Sequence, residues 1–276
     1  MPELPEVETV RRGLAEVMEG IGIVDVGIHR IDLRRQVPKG LRHAAQGSVV
    51  TAIRRRAKYL EFFLDNGHVI LAHLGMSGRM LVDIKNSDIR PQSKHEHITF
   101  KMGNSTVIRF SDPRRFGLVD LCKADGLEDH PLLARLGVEP LTDSFDGRCV
   151  ARLLMGRKTS IKSVLLNQHV IAGLGNIYAC EALWMARLLP SREASTVSGI
   201  RANSLAEAIK LVLSDAIAAG GSTLRDHLSP SGSLGYFQHS FKVYGRENEP
   251  CPSCNQQLVR IQQSGRSSFF CPSCQT

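Results

Sequence analysis

Cys-Pro-Ser-Cys occurs twice, at residues 251–254 and 271–274, with sixteen residues between the two copies. A C-x-x-C pair on a tight turn aims two sulfurs at one point, and two such knuckles can close a tetrahedral thiolate site on zinc. The same spacing also serves disulfides or an iron–sulfur cluster. The other three cysteines, Cys122, Cys149 and Cys180, are scattered and read as buried reduced thiols of a cytosolic protein, a setting that disfavours disulfides. Four thiolates on Cys251, Cys254, Cys271 and Cys274 leave no open coordination position, so one bound zinc ion would be structural rather than catalytic. The stretch between the knuckles, NQQLVRIQQSGRSSFF, predicts a β-hairpin turning near Gly265, with Arg266 at or near its tip. A small hairpin with a cation at its tip suits a DNA groove. Taken alone, a turn arginine is more often just an ordinary solvated side chain.

The charge points the same way. Thirty-five Lys and Arg against 27 Asp and Glu give a net charge of +8 over 276 residues. Residues 30–58 hold nine of the cations (Arg30, Arg34, Arg35, Lys39, Arg42, Arg54, Arg55, Arg56, Lys58) and one acid, Asp32. Such a field favours polyanions, nucleic acid foremost, although a solvated basic face needs no partner. No apolar run approaches the roughly 18 residues of a membrane span, and no basic-then-apolar signal pattern opens the chain, which argues against secretion.

Hydrophobic periodicity divides the chain. Val7, Val10, Leu14 and Val17 recur at helical spacing, predicting a helix over about 5–19 that Gly20 and Gly22 end. Pro5 suits a first helical turn, and Glu6 and Glu8 suit its positive end. From 23 to 120 the pattern is of strands, with hairpins around Asn66-Gly67 and Gly103-Asn104. This half reads as a β-sandwich with the first helix packed on it. EDHPLLARLG (128–137) predicts the opening of a helical region, and 140–147 a linker into further helices that run to about 219. Ser198 is placed to cap the longest of these, and Gly220-Gly221 to stop it. Residues 222–235, rich in Gly and Ser, read as a mobile loop, and YFQHSFKVYGR (236–246) as a strand.

Two loop patterns carry chemistry. In AGLGNIY (172–178), Gly173 and Gly175 precede a helix whose free N–H groups suit a phosphate, with Asn176 adding an amide; a tight interhelix turn explains the glycines as well. In LAHLGMSGR and SDPRRFG, Met76, Arg114 and Phe116 occupy turns where a large side chain has little core to fill. Exposed on a basic protein, such residues could wedge into a base stack, though each taken singly also reads as packing.

The N-terminal PELPEVETV raises a sharper possibility. Met1 is normally removed when the next residue is small, as Pro2 is, leaving a secondary amine. An α-amino group titrates near 8, so a useful fraction is unprotonated at neutral pH and can attack an anomeric carbon to give an iminium. Glu3 lies beside it to move protons. Glu6 holds the terminus or caps the helix. The plain alternative is a set of acids at a helix N-terminus.

Together PELPEVETVRRGL, RRRAKYL, HLGMSGR, KHEHITF, SDPRRFG, GLGNIYA, VYGR and GRSSFFC with the four cysteines resemble the formamidopyrimidine-DNA glycosylases, bacterial repair enzymes for oxidised purines, end to end. The resemblance implies an α+β multidomain chain. It has an N-terminal catalytic β-sandwich domain (1–135), a helix–two-turns–helix DNA-binding domain (136–225), and a segment (226–276) with a lesion loop and a β-hairpin zinc finger. It implies duplex DNA in the cleft between the halves, with the damaged nucleotide flipped out. Pro2 would attack the sugar and expel 8-oxoguanine or a ring-opened purine, and Glu3 would act as general acid and base. β-Elimination and then δ-elimination would cut the strand. By the same resemblance Lys58 assists at the lesion and its phosphate, Arg266 clamps phosphate and supports δ-elimination, and Asn176 holds the flanking phosphate. Met76, Arg114 and Phe116 fill the vacated stack, Arg114 reading the opposing cytosine. Glu6, His73, His95, Lys158 and Tyr244 fall where the family contacts DNA. The loop 229–234, where the family closes over the extruded base, varies among members. A monomer in the bacterial cytoplasm is expected, with no membrane association. The sister enzyme for oxidised pyrimidines, similar to endonuclease VIII, is the alternative; it begins PEGPE and lacks the Met76, Arg114 and Phe116 set. A non-catalytic zinc DNA-binding protein would explain the charge and the cysteines but not the terminal amine with Glu3 and Lys58.

Overall fold

The computed structural model describes residues 2–83, 93–222 and 240–276. Met1 and the loop 229–234 lie outside them. The chain forms two compact units: residues up to Ala134 together with Ala219 and the residues following it to 222, and Arg135–Ala218 together with the residues from 240 on.

In the first unit, α1 (Leu4–Met18) is closed at its start by a reciprocal capping box between Glu3 and Glu6, with Pro5 in the first turn. Val7, Val10, Leu14 and Met18 form its buried stripe. Gly20, at φ +75, takes the chain out of the helix. Eight strands follow as two antiparallel sheets. One has the order β1 (Ile23–Ile28), β6 (Glu96–Met102), β7 (Val107–Ser111), β5 (Arg79–Asp83); the other β2 (Val50–Arg56), β3 (Tyr59–Leu64), β4 (His68–His73), β8 (Leu118–Lys123). Both predicted hairpins are present, β3–β4 turning at Asn66-Gly67 and β6–β7 just past Gly103. The inward residues of the two sheets, among them Ile98, Phe100, Phe110, Leu60, Phe62 and Ile70, share one core with the stripe of α1. This is the β-sandwich with a packed N-terminal helix. The short α2 (Leu41–Ala45) covers one end.

In the second unit, α3 (Gly147–Leu154), α4 (Ile161–Leu165), α5 (Asn176–Met185) and α6 (Gly199–Ala218) pack around Leu154, Tyr178, Leu183, Leu205 and Ile209, all fully buried. Asp146 and Ser160 cap α3 and α4 by accepting the N–H of Cys149 and Ser163. The same unit carries the hairpin of β9 (Val259–Gln263) and β10 (Arg266–Phe270). Ser264 and Gly265 both have positive φ, the backbone of a two-residue turn matched to strand twist.

Two expectations fail, each for a visible reason. Residues 128–137 make a chain of turns rather than a helix. Pro131 has no N–H to give, and Gly137 is pressed so closely on Val170 that an added Cβ would lie 2.3 Å from its carbonyl oxygen. The described part of the predicted strand, 240–246, is also turns. The N–H groups of Lys242, Val243 and Tyr244 converge on the carboxylate of Glu181, at 2.8, 3.0 and 2.8 Å, so none is left for a neighbouring strand. No helix among the described residues is long and apolar enough to cross a membrane.

Candidate active site and zinc centre

The N-terminal residues are held rather than trailing. Pro2 is buried, and Glu3 and Glu6 are each 2% exposed. Glu6 accepts the N–H of Glu3 on Oε2 at 2.8 Å. Its Oε1 accepts both the N–H and the hydroxyl of Ser222 at 2.9 Å. Gly221, at φ +80, lies against Glu6, so an added Cβ would meet Glu6 at 3.3 to 3.4 Å. One carboxylate thus joins the start of the chain to a segment 216 residues away.

Lys58, 6% exposed, occupies the two-residue turn between β2 and β3, where Ala57 takes φ +53. Across the sheet its neighbour Tyr59 pairs with His73, their rings 4.8 Å apart. His73 accepts the N–H of Gly75 on Nδ1 at 2.9 Å, so it is neutral with its proton on Nε2. Burial, then the charges of Lys58 and Arg34, push its pKa down to about 4.

The Met76 loop and the Arg114–Phe116 loop are locked together. Gly75, at φ +66, sits where a Cβ would come within 2.4 Å of the Phe116 backbone. Asp112, fully buried, accepts from Ser77 Oγ at 2.5 Å and from Gly117 N–H at 2.7 Å. Ser77 Oγ in turn accepts the N–H of Arg114 at 3.2 Å. The result leaves Met76 36% and Phe116 45% exposed, with the Arg114 guanidinium 4.9 Å over the Phe116 ring. The clamp fixes the turns from which these three side chains project. Beside them His95 lines a cavity of about 410 Å³ with Arg30, Lys94 and Arg115.

In the second unit, Asn176 opens α5 and donates to the Ser267 carbonyl at 3.0 Å. Lys162, 1% exposed, donates to the same carbonyl and to Ser268 Oγ, both at 2.7 Å. These bonds seat the hairpin so that exposed Arg266, the residue after the turn, shares a cavity of about 240 Å³ with Lys162, Ser163 and Asn167. Lys158 is exposed ahead of α4. Tyr244 packs edge-on against Phe241 and Phe269, at 5.7 and 5.0 Å between centroids. Asp112, Ser77, Ser222, Lys162 and Glu181 escaped the sequence reading. Of these only Asp112 carried a signal, its Asp-Pro turn pair.

The four cysteine sulfurs of the finger lie within 4.8 Å of one another. Cys254 and Cys271 are 3.5 Å apart and Cys251 and Cys274 3.9 Å, far beyond a disulfide bond. Zinc–sulfur bonds of about 2.3 Å in a tetrahedron require sulfur separations near 3.8 Å, so the set fits the ion. Burial raises the Cys251 thiol, but the backbone N–H groups of Ser253 and Cys254 and the neighbouring side-chain donors outweigh it and hold its pKa at about 6. The neighbouring Cys254 thiol, then burial, push Cys274 up to about 12. A metal that displaces these shared protons resolves the conflict.

Comparison with known proteins matches this arrangement part by part. Family models match as the formamidopyrimidine-DNA glycosylase N-terminal domain over residues 1–119, that enzyme's H2TH domain over 136–227, and the zinc finger found in FPG and IleRS over 248–276. The formamidopyrimidine-DNA glycosylases of Roseobacter denitrificans and of a Chelativorans species are 49% and 48% identical, each alignment covering 100% of both chains. The crystal structure of the Thermus thermophilus MutM (FPG) protein superposes with a TM-score of 0.88 at 39% identity, over 99% of this chain and 98% of that one. A complex of Lactococcus lactis Fpg with N7-benzyl-Fapy-dG-containing DNA gives 0.89 at 33% identity, over 100% of both. A β-sandwich with an ordered N-terminal proline, an H2TH region and a four-cysteine finger define a base-excision DNA glycosylase. The chain belongs to the formamidopyrimidine-DNA glycosylase family.

Proposed function

We propose that the protein removes oxidised purines, 8-oxoguanine and formamidopyrimidines, from duplex DNA opposite cytosine, and then cuts the strand at the abasic site by β- and δ-elimination. The observation that carries this reading is the buried start of the chain, with Pro2 beside Glu3 on a helix end clamped by Glu6.

The Pro2 nitrogen attacks C1′ of the flipped nucleotide as the glycosidic bond breaks, and the base leaves with a proton from Glu3. Ring opening of the sugar gives an iminium between Pro2 and C1′. The positive charge acidifies the C2′ proton; its removal expels the 3′ phosphate, and a second elimination expels the 5′ phosphate. Lys58, buried at its turn beside His73, supplies positive charge at the lesion and its phosphate. Glu6 keeps the nucleophile in register, and Ser222 on the same carboxylate ties the approach of the lesion loop to it. Met76 and Phe116 fill the vacated stack, and Arg114, stiffened on the Phe116 ring, reads the opposing base. Asn176 and Arg266 hold the flanking phosphate, Arg266 also serving δ-elimination. His73, His95, Lys158 and Tyr244 line the DNA track. The protein acts as a monomer, and the zinc supports the finger rather than the chemistry.

Borohydride trapping tests the proposal. A duplex with 8-oxoguanine opposite cytosine should give a reduced adduct attached at Pro2, located by mass spectrometry. An adduct formed on an oxidised pyrimidine but not on 8-oxoguanine would move the reading to the endonuclease VIII-like alternative; Lactococcus lactis Fpg is itself found in a complex with DNA containing an oxidised pyrimidine. No adduct on either, from protein shown to lack Met1, would sink the imine mechanism.

A further inference from the structure

The chain has one tryptophan, Trp184, on α5. With Cys180 one turn earlier, it packs on the apolar cluster that encloses the metal site, formed by Val243, Cys251, Leu258, Phe269 and Cys271. The ring is partly exposed, yet its N–H is buried and has no hydrogen-bond partner at ordinary geometry among the described residues. A buried N–H left so costs about 1–3 kcal/mol, and such groups in native proteins call for a reason.

The reason lies across the cluster. Cys251, fully buried, belongs to the cluster on which the Trp184 ring packs, so its sulfur is the near neighbour of this N–H. A thiol is a weak acceptor. A thiolate bound to zinc is a strong one, and four of them on a divalent ion keep two net negative charges that N–H donors must offset. The knuckles supply donors from within, as Cys274 N–H does to Cys271 Sγ at 3.4 Å. Trp184 comes from outside the finger, from the helix on which the finger rests.

We propose that the Trp184 indole N–H donates to the Cys251 thiolate of the zinc-loaded finger, so that this tryptophan is a positioning residue for the metal and α5 helps to retain it. Partners of metal ligands typically change metal affinity 10- to 100-fold. Being the sole tryptophan, it also makes the intrinsic emission of the protein a report on metal loading, because stripping the ion turns a strong acceptor back into a weak one.

The test uses the full zinc-loaded chain without DNA, so its outcome is independent of the proposed reaction. Zinc transfer to a chromogenic chelator is timed for the parent, Trp184→Phe and Trp184→Leu. Phenylalanine keeps an apolar ring and deletes only the donor; leucine deletes the ring as well. Trp184→Phe should release zinc roughly 10-fold faster. Release at the parent rate overturns the proposal, whatever Trp184→Leu does, since packing alone would then explain the site. Should Trp184→Phe fail to fold, the parent decides. With a spin-active cadmium isotope in place of zinc, its single indole N–H resonance should show scalar coupling to the metal through the hydrogen bond. Absence of that coupling overturns the proposal.

Discussion

Glu6 Oε1 accepts two hydrogen bonds from Ser222, from its N–H and its hydroxyl, each 2.9 Å long. The other oxygen of the same carboxylate accepts the N–H of Glu3, the residue next to the proposed nucleophile. Glutamine in place of Glu6 keeps one acceptor and turns an amide N–H against a donor. Hydrogen bonds to charged groups contribute about 1.5–3 kcal/mol each, so Glu6→Gln should lose at least about 2 kcal/mol of stability and slow borohydride trapping. Denaturant unfolding and trapping kinetics check both; a variant unchanged in either would show that the clamp does not position the terminus.

Asp112 is fully buried and serves Ser77 and Gly117 at once. Asp112→Asn must turn a donor toward one of them. The expected cost is about 1–3 kcal/mol, with loosening of the loops that present Met76, Arg114 and Phe116. If those loops read the opposite strand, the preference for cytosine over adenine opposite the lesion weakens before excision fails. Single-turnover rates on the two duplexes measure this, and an intact preference in a folded variant would refute it.

His73 gives the protein an acid sensitivity with a defined window. Its folded pKa of about 4 lies below the ordinary 6.5, so the unfolded chain binds the proton more readily between those values. The stability that neutral His73 contributes is present above pH 6.5 and is lost as pH falls toward 4, at no more than about 1.4 kcal/mol per unit. Glu181, raised by burial, pulls in the opposite direction above its ordinary value, and Glu8, where burial is outweighed by Arg11, Arg12 and Arg55 so that its pKa is lowered, acts in the more acid range. The comparison is therefore between the parent and His73→Gln. Urea midpoints at pH 7, 6 and 5 should fall more steeply for the parent; parallel curves would remove His73 as the cause.

Lys162 spends its charge on the Ser267 carbonyl and the Ser268 hydroxyl. Lys162→Met keeps the stem and leaves both acceptors to Asn176 or to nothing. A cost of about 2 kcal/mol is expected, together with a larger share of β-elimination product if the seat of the hairpin sets Arg266 for the second cleavage. Product ratios resolved on a denaturing gel decide it, and an unchanged ratio would confine Lys162 to stability.

Local chemistry explains which features were readable in the chain. Glu6 at the start of α1 is a short-range feature, and α1 itself follows from a stripe repeating every three or four positions; the reciprocal box with Glu3 appears only in the structure. The hairpin turns rest on Gly67 in one case and on Ser264-Gly265 in the other, residues that take positive φ beside strand-like runs. The cysteine knuckles are likewise short-range, and their sulfurs converge as the spacing required. The helix expected over 128–137 and the strand expected over 236–246 were misread because distant groups override local preference, Val170 against Gly137 in one case and Glu181 under residues 242–244 in the other.

The sequence by itself determined the β-sandwich with its packed helix, the helical region and the zinc-binding hairpin, since each is written in patterns that span a turn, a strand or a knuckle. Only the tertiary structure decided that Glu6 would hold Ser222, that Asp112 would lock two loops, that Lys162 would seat the Arg266 hairpin and that Trp184 would pack on the cluster around Cys251. These pairings join residues from 35 to 216 positions apart, or elements on opposite sides of a core. Their energy comes from burial of polar groups that must find partners, and which partner is in reach is a property of the folded chain alone.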